Sequence, residues 1–135
     1  MEVNIEDLLE NVLESVPKPP KSISITLDSE NLKEMFEFLL DFVTKIFKTL
    51  YSDERGVVDL EKLSDAHFNT VDQYMQSIGF KCNFNAMPAT HANLTYLYQN
   101  RYDKIEITRQ TKLADLFFAI KCSQKVYCIS FSFLV

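Results

Sequence analysis

Residues 114–135 read ADLFFAIKCSQKVYCISFSFLV, and an alternation of apolar side chains runs through them twice. Leu116, Phe118, Ile120 and Cys122 fall at every second position, and so do Tyr127, Ile129, Phe131 and Phe133. A period of two marks a strand with one buried face. Folding the stretch back around a loop at Ser123 to Val126 sets Cys122 against Tyr127, Ile120 against Ile129, Phe118 against Phe131 and Leu116 against Phe133. That register gathers every large pair on one side, whereas a slip by one residue would expose them all. The stretch predicts an antiparallel hairpin.

The same parity extends towards the N-terminus. Ile107 would oppose Ala114 and Ile105 would oppose Leu116 around a turn at Arg109 to Lys112. A further hairpin at Asn100-Arg101 would bring Leu94 and Tyr96 beside them. Leu94, Leu97 and Tyr98 also fit a helix, so residues 93–99 are open to either reading. Phe80, Cys82 and Phe84 share one face of a short strand before an irregular stretch, and Ile23, Ile25 and Leu27 alternate in another. The expectation is a C-terminal meander of three to four strands plus one or two earlier strands.

Two long helices are predicted to cover the apolar face of that sheet. The first runs from Asp28 or Ser29 to about Leu50, apolar around most of its girth, with Glu34, Glu37, Asp41, Lys45 and Lys48 forming a narrow polar band. A helix so apolar must be covered on more than one side. The second runs from about Asp59 to Ile78, with Leu60, Leu63, His67, Val71, Tyr74 and Ile78 as its buried stripe and Gly79 ending it. The fold class is therefore α+β.

The chain begins differently. Ile5, Leu8, Leu9, Val12, Leu13 and Val16 recur at helical spacing and form one stripe, with Asn4 as an N-cap. Pro17 ends that helix, and Pro-Lys-Pro-Pro-Lys over 17–21 reads as a stiff spacer. The domain division is a helix over 1–16, the spacer, and one domain over 22–135. Charge follows the same division. Glu2, Glu6, Asp7, Glu10 and Glu14 stand without a base in the first segment, and the fourteen remaining acids match fourteen Lys and Arg, so the whole net charge of −5 sits there.

At 135 residues one domain can bury roughly two-thirds of its unfolded surface. Eleven Phe and six Tyr with only two Gly favour long regular elements over tight turns. The acidic start lacks the pattern of a secretory signal, and no apolar run suits a membrane span. Three cysteines without a signal read as reduced thiols, which points to a cytoplasmic chain that does not act at a membrane.

No group of residues carries recognisable chemistry. His67 lies in an apolar stripe, where a hydrogen-bonded boundary histidine is the ordinary role. A Cys82–His91 nucleophilic pair would need an exposed thiol, and Cys82 is predicted on the buried face. A zinc set of Cys82, His91, Cys122 and Cys128 lacks knuckle spacing, and the hairpin register puts Cys122 and Cys128 on opposite faces. Aligning Gly56 with the invariant glycine of a calcium-binding EF-hand loop places Tyr51, Arg55 and Lys62 at ligand positions, which excludes calcium. Tyr96, Tyr98, Arg101, Tyr102, Lys104, Arg109 and Lys112 interleave rings and cations, but Asp103 and Glu106 interrupt them and the domain has no positive field. No catalytic residue, metal or cofactor is expected.

The other face of the final hairpin holds Phe117, Ala119, Cys128, Ser130, Ser132 and Leu134, with charge only at Asp115 and Lys121. So little charge predicts a covered face, by the first helix or by another chain. The sequence thus predicts a non-enzymatic interaction or assembly module. Its partner surface is Ile5, Leu8, Leu9, Val12, Leu13 and Val16 with Phe117, Ala119, Ser130 and Ser132, and self-association as a homodimer is favoured. The alternative is a small hydrophobic-ligand carrier or enzyme with a pocket between sheet and helices; single-stranded nucleic-acid binding ranks lower.

Overall fold

The computed structural model describes residues 29–134. The expected helix over 1–16, the proline spacer and the Ile23 strand lie outside the described residues. Helix α1 spans Ser29–Tyr51, as its periodicity predicts. Leu32, Phe36, Leu39, Phe42, Ile46 and Phe47 are each 5% exposed or less, while Glu34, Glu37, Asp41 and Lys48 face outward.

The second expected helix is divided. Asp59 accepts the Glu61 N–H at 3.1 Å and caps a single 3-10 turn, Leu60–Lys62. Ser64 then takes an extended conformation (φ −140°, ψ 170°), and helix α2 begins at Asp65 and ends at Gln76. Side chains that bond neighbouring backbone compete with helix continuation, and Asp59 and His67, which accepts the Ser64 N–H, both do so here. The buried stripe shifts accordingly to Phe68, Val71, Tyr74 and Met75, and Leu60 is left exposed. Gly79 adopts φ +86°, and there the chain turns into the sheet.

Three antiparallel strands form that sheet: β1 (Phe80–Pro88), β2 (Phe117–Cys122) and β3 (Lys125–Phe133), in the order β1-β3-β2. The hairpin exists, but its register slides by two residues from the expected one. Ile120 pairs with Tyr127, Phe118 with Ile129 and Cys122 with Lys125. A slide of two keeps every side chain on its face. Its cause is a tight two-residue turn at Ser123-Gln124, with Ser123 at φ 59°, in place of the longer loop. On the other side of β3, Cys82 pairs with Phe131 and Phe84 with Ile129, and the ladder continues through Ala86 to Pro88, which had read as irregular.

The expected third and fourth meander strands are absent among the described residues. Residues 91–100 form helix α3 (His91–Asn100), whose N-cap Thr90 accepts the Asn93 N–H at 3.2 Å. Residues 101–112 form turns instead of a strand. The Tyr102 N–H donates to the Phe117 carbonyl, the Thr108 N–H to Thr111 Oγ1, and the Lys112 N–H to Asp115 Oδ2. The Thr108 and Lys112 bonds close locally and leave the ladder without donors at those positions. Ile105 and Ile107 still pack against the core, from turns.

Helices α1 and α2 bury one face of the sheet. The rings of Phe68 and Tyr127 lie 4.4 Å apart, those of Phe36 and Phe131 5.4 Å, and those of Phe47 and Phe68 meet edge-on at 5.3 Å.

Candidate functional site

Part of the weakly charged sheet face is covered, and the cover is α3 of the same chain. Leu97 (2% exposed), Ala119 and Val126 form a second small core, with Met87, Leu94, Phe117 and Cys128 packed around it. Leu94 and Leu97 stand one helical turn apart and so meet the sheet together. Of the proposed partner residues, Phe117 and Ala119 thus contribute to an internal contact, while Ser130 and Ser132 stay half-buried and Ser132 Oγ accepts from Asn83 Nδ2 at 3.1 Å. Ile5, Leu8, Leu9, Val12, Leu13 and Val16 lie outside the described residues. Nothing in the hairpin alone marks α3 as this cover. The available signal was Thr90 ahead of Leu94 and Leu97, a cap followed by a helical pair.

The cysteines and histidines do not converge. Cys82 is 2% exposed on the helix side of the sheet, and burial, with the Asp72 carboxylate next, pushes its thiol up to about 12. A thiol held protonated is not a nucleophile at neutral pH. His91 opens α3 on the exposed surface, with six residue steps of extended strand (~20 Å) from Cys82 to Pro88 ahead of it. Cys122 belongs to the main core and Cys128 to the α3 side, as the face argument requires. All three are free thiols, and no three His, Cys, Asp or Glu gather around a common point among the described residues.

His67 has a structural place. Its Nδ1 accepts the Ser64 N–H at 2.9 Å and closes the start of α2, while its ring stands edge-on to Tyr51 with centroids 4.4 Å apart. The loop after α1 is organised by Asp53, whose carboxylate accepts the Arg55 N–H at 2.8 Å, the Val57 N–H at 3.1 Å and the Arg55 guanidinium at 3.1 Å. The bond from Val57, then those from Arg55, hold this carboxyl below its ordinary pKa. A carboxylate bonded three times by its own loop has little left for an ion.

The tyrosine–cation stretch is dispersed. Tyr96 and Tyr98 are exposed on α3 but two positions apart, so they face different directions. Tyr102 turns inward onto Phe36, centroids 4.6 Å apart, and Arg101 Nε sits 2.7 Å from Asp103 Oδ1. The rings offer no common platform for stacked bases.

A recess of about 350 Å³ lies where α1 begins, lined by Leu32, Thr111, Lys112, Leu113, Ala114, Ser132 and Phe133. It is an open notch at the end of the sheet, beside the exposed side chains of Phe133 and Leu134. The space between sheet and helices is filled by the aromatic core instead. No described helix is long and apolar enough to cross a membrane. Comparisons of the chain with protein families, with curated proteins and with solved structures gave no match.

Proposed function

We propose that the protein is a non-enzymatic interaction or assembly module whose partner-facing element is the acidic amphipathic N-terminal segment. One observation carries this reading: the whole net charge of −5 resides on residues 1–16, which also hold the apolar stripe Ile5, Leu8, Leu9, Val12, Leu13 and Val16. An apolar stripe with an acidic rim suits docking into a complementary groove. The folded part supports the reading by what its polar groups do. Asp53, Asp65, Asp72 and His67 are engaged in turns, caps and tertiary hydrogen bonds.

Removing residues 1–21 tests the proposal by solution mass and by recovery of partners from a native extract. The expected result is loss of assembly or of a bound partner with the circular-dichroism spectrum of the remaining domain retained. Unchanged mass together with unchanged partner binding overturns it.

A further inference from the structure

Three hydrogen bonds fix which backbone groups the sheet leaves over. The Leu134 N–H donates to the Gly79 carbonyl at 3.0 Å and the Ala89 N–H to the Gln124 carbonyl at 2.9 Å, bracketing β1 and continuing its register with β3. Bonded and non-bonded residues alternate along an antiparallel ladder. The odd-numbered residues from 79 to 89 therefore point their N–H and C=O groups at β3, and the even-numbered ones point away from the sheet. The third bond agrees, since the Cys82 N–H, facing outward, is taken by Asp72 Oδ1 of α2 at 2.9 Å. Beyond Cys82, Phe84 and Ala86 direct both backbone groups outward, with no partner for them among the described residues. Pro88 has no N–H to offer.

A free edge is ordinarily blunted by charge or by a covering segment. The β2 edge has both, as the Tyr102 N–H caps the Phe117 carbonyl and Lys121 supplies charge. On β1 the residues from Cys82 to Met87 carry no charge, and Asn85 and Ala86 are exposed.

We propose that β1 is a self-pairing edge, through which two copies of the chain join antiparallel about a two-fold axis at Asn85 to form one six-stranded sheet. This goes beyond the N-terminal reading and uses a separate surface. The axis follows from the edge itself. With Asn85 opposite its own copy, Phe84 faces Ala86 of the second copy and Ala86 faces Phe84, and each pair exchanges two backbone hydrogen bonds. The same register opposes Cys82, whose N–H is already taken, to Pro88, which has none. The two positions unable to complete a ladder thus meet each other. An axis at Phe84 would instead set Ala86 of the second copy against Cys82, whose N–H is already held by Asp72, and leave that pair incomplete. Pairing of β1 with a β2 edge would be head-to-tail and would propagate instead of closing, so the second copy's β1 is the occupant. Lys81 falls opposite Ala89, so no like charges meet.

The test measures mass by light scattering on the full chain across micromolar concentrations, with five variants. The wild type is expected at twice the 15.7 kDa chain mass. Asn85→Lys sets two cations against each other at the axis, and Ala86→Pro removes an outward N–H that β3 does not use; both are expected at the mass of one chain with an unchanged circular-dichroism spectrum. Asn85→Cys is expected to form a covalent dimer under mild oxidation, since non-hydrogen-bonded partners bring Cα atoms to ~4.5 Å, within disulfide reach. Asn83→Cys, four residues out of register with its own copy, is expected to behave as the wild type does. A wild type of single-chain mass at every concentration, as when another segment takes the edge, overturns the proposal. So does a dimer that survives Asn85→Lys, or species growing beyond two copies. A dimer lost in full-length Leu9→Glu/Leu13→Glu but kept in Asn85→Lys assigns association to the N-terminal segment and removes this proposal alone.

Discussion

The hydroxyl of Tyr127 donates a 2.9 Å hydrogen bond to Asp65 Oδ1, joining the start of β3 to the first turn of α2 across 62 residues of chain. The partners differ in their surroundings. Tyr127 is 1% exposed, whereas Asp65 is exposed at the helix N-terminus. Removing one partner costs most when the other is left buried and unsatisfied. Asp65→Ala strands the phenol and also removes a carboxylate from the positive end of the helix dipole, so it is expected to cost about 1–3 kcal/mol. Tyr127→Phe returns Asp65 to water and is expected to cost less, about 0.5–1.5 kcal/mol. Urea titrations of both variants check the order, and a reversed order would mean the bond is not formed in solution.

The same phenol shapes the response to alkali. Burial, then the bond to Asp65, raises Tyr127 from its ordinary 10.0 to about 12, and burial raises Cys82 from 9.0 to about 12. Burial shifts Tyr74, Tyr102, Cys122 and Cys128 upward too. Each group keeps its proton in the native state where the unfolded chain gives it up. Stability is therefore complete below about pH 9 and falls as the pH climbs towards 12. The slope is at most about 1.4 kcal/mol per pH unit for each such group. Urea midpoints from pH 7 to 11 measure it, and Tyr127→Phe is expected to flatten the part above pH 10. A midpoint constant to pH 11 would contradict the burial of these groups.

Ser123 turns the hairpin at φ 59°, a region in which a side chain on Cβ is strained. Glycine occupies it freely at some entropic cost. Ser123→Gly is expected to stabilise the protein by roughly 0.5–1 kcal/mol and Ser123→Val to destabilise it. Thermal melts of the pair decide the point, since the longer loop with Cys122 opposite Tyr127 would show no preference for glycine.

The hairpin was legible from residues 114–135 because side-chain parity needs no knowledge of the rest of the chain. Its register was not, because parity is blind to a slide of two, and the deciding fact was the backbone angle at Ser123. Residues 105–107 misled for a related reason. Ile105 and Ile107 alternate as a strand would, yet Thr108, Thr111 and Asp115 close their hydrogen bonds locally. Helix α1 was read nearly to the residue, since a pattern sustained over 23 positions leaves little room for a second reading. The β1 edge, unpaired among the described residues, had only a lack of charge over 82–87 to mark it in the sequence. It emerges only once the partners of Gly79, Cys82 and Ala89 are known.

Helix α3 has to hold the second face of the sheet through very few side chains, and Leu97 is the most buried of them. Leu97→Ala removes that side chain from against Ala119 and Val126, and is expected to cost about 2–4 kcal/mol. Tyr96→Ala, one residue away on a position 62% exposed, is expected to change stability by no more than ~0.5 kcal/mol. The same loss has a chemical readout. Cys128 lies half-buried beside this small core, while Cys82 and Cys122 are sealed in the main one. In the native protein a thiol reagent is expected to modify Cys128 first and the other two only on unfolding. In Leu97→Ala, Cys128 is expected to react faster, with Cys82 still protected because α1 and α2 are untouched. Equal acceleration at all three thiols would show that the two faces of the sheet unfold as one unit and that α3 is not a separate cover.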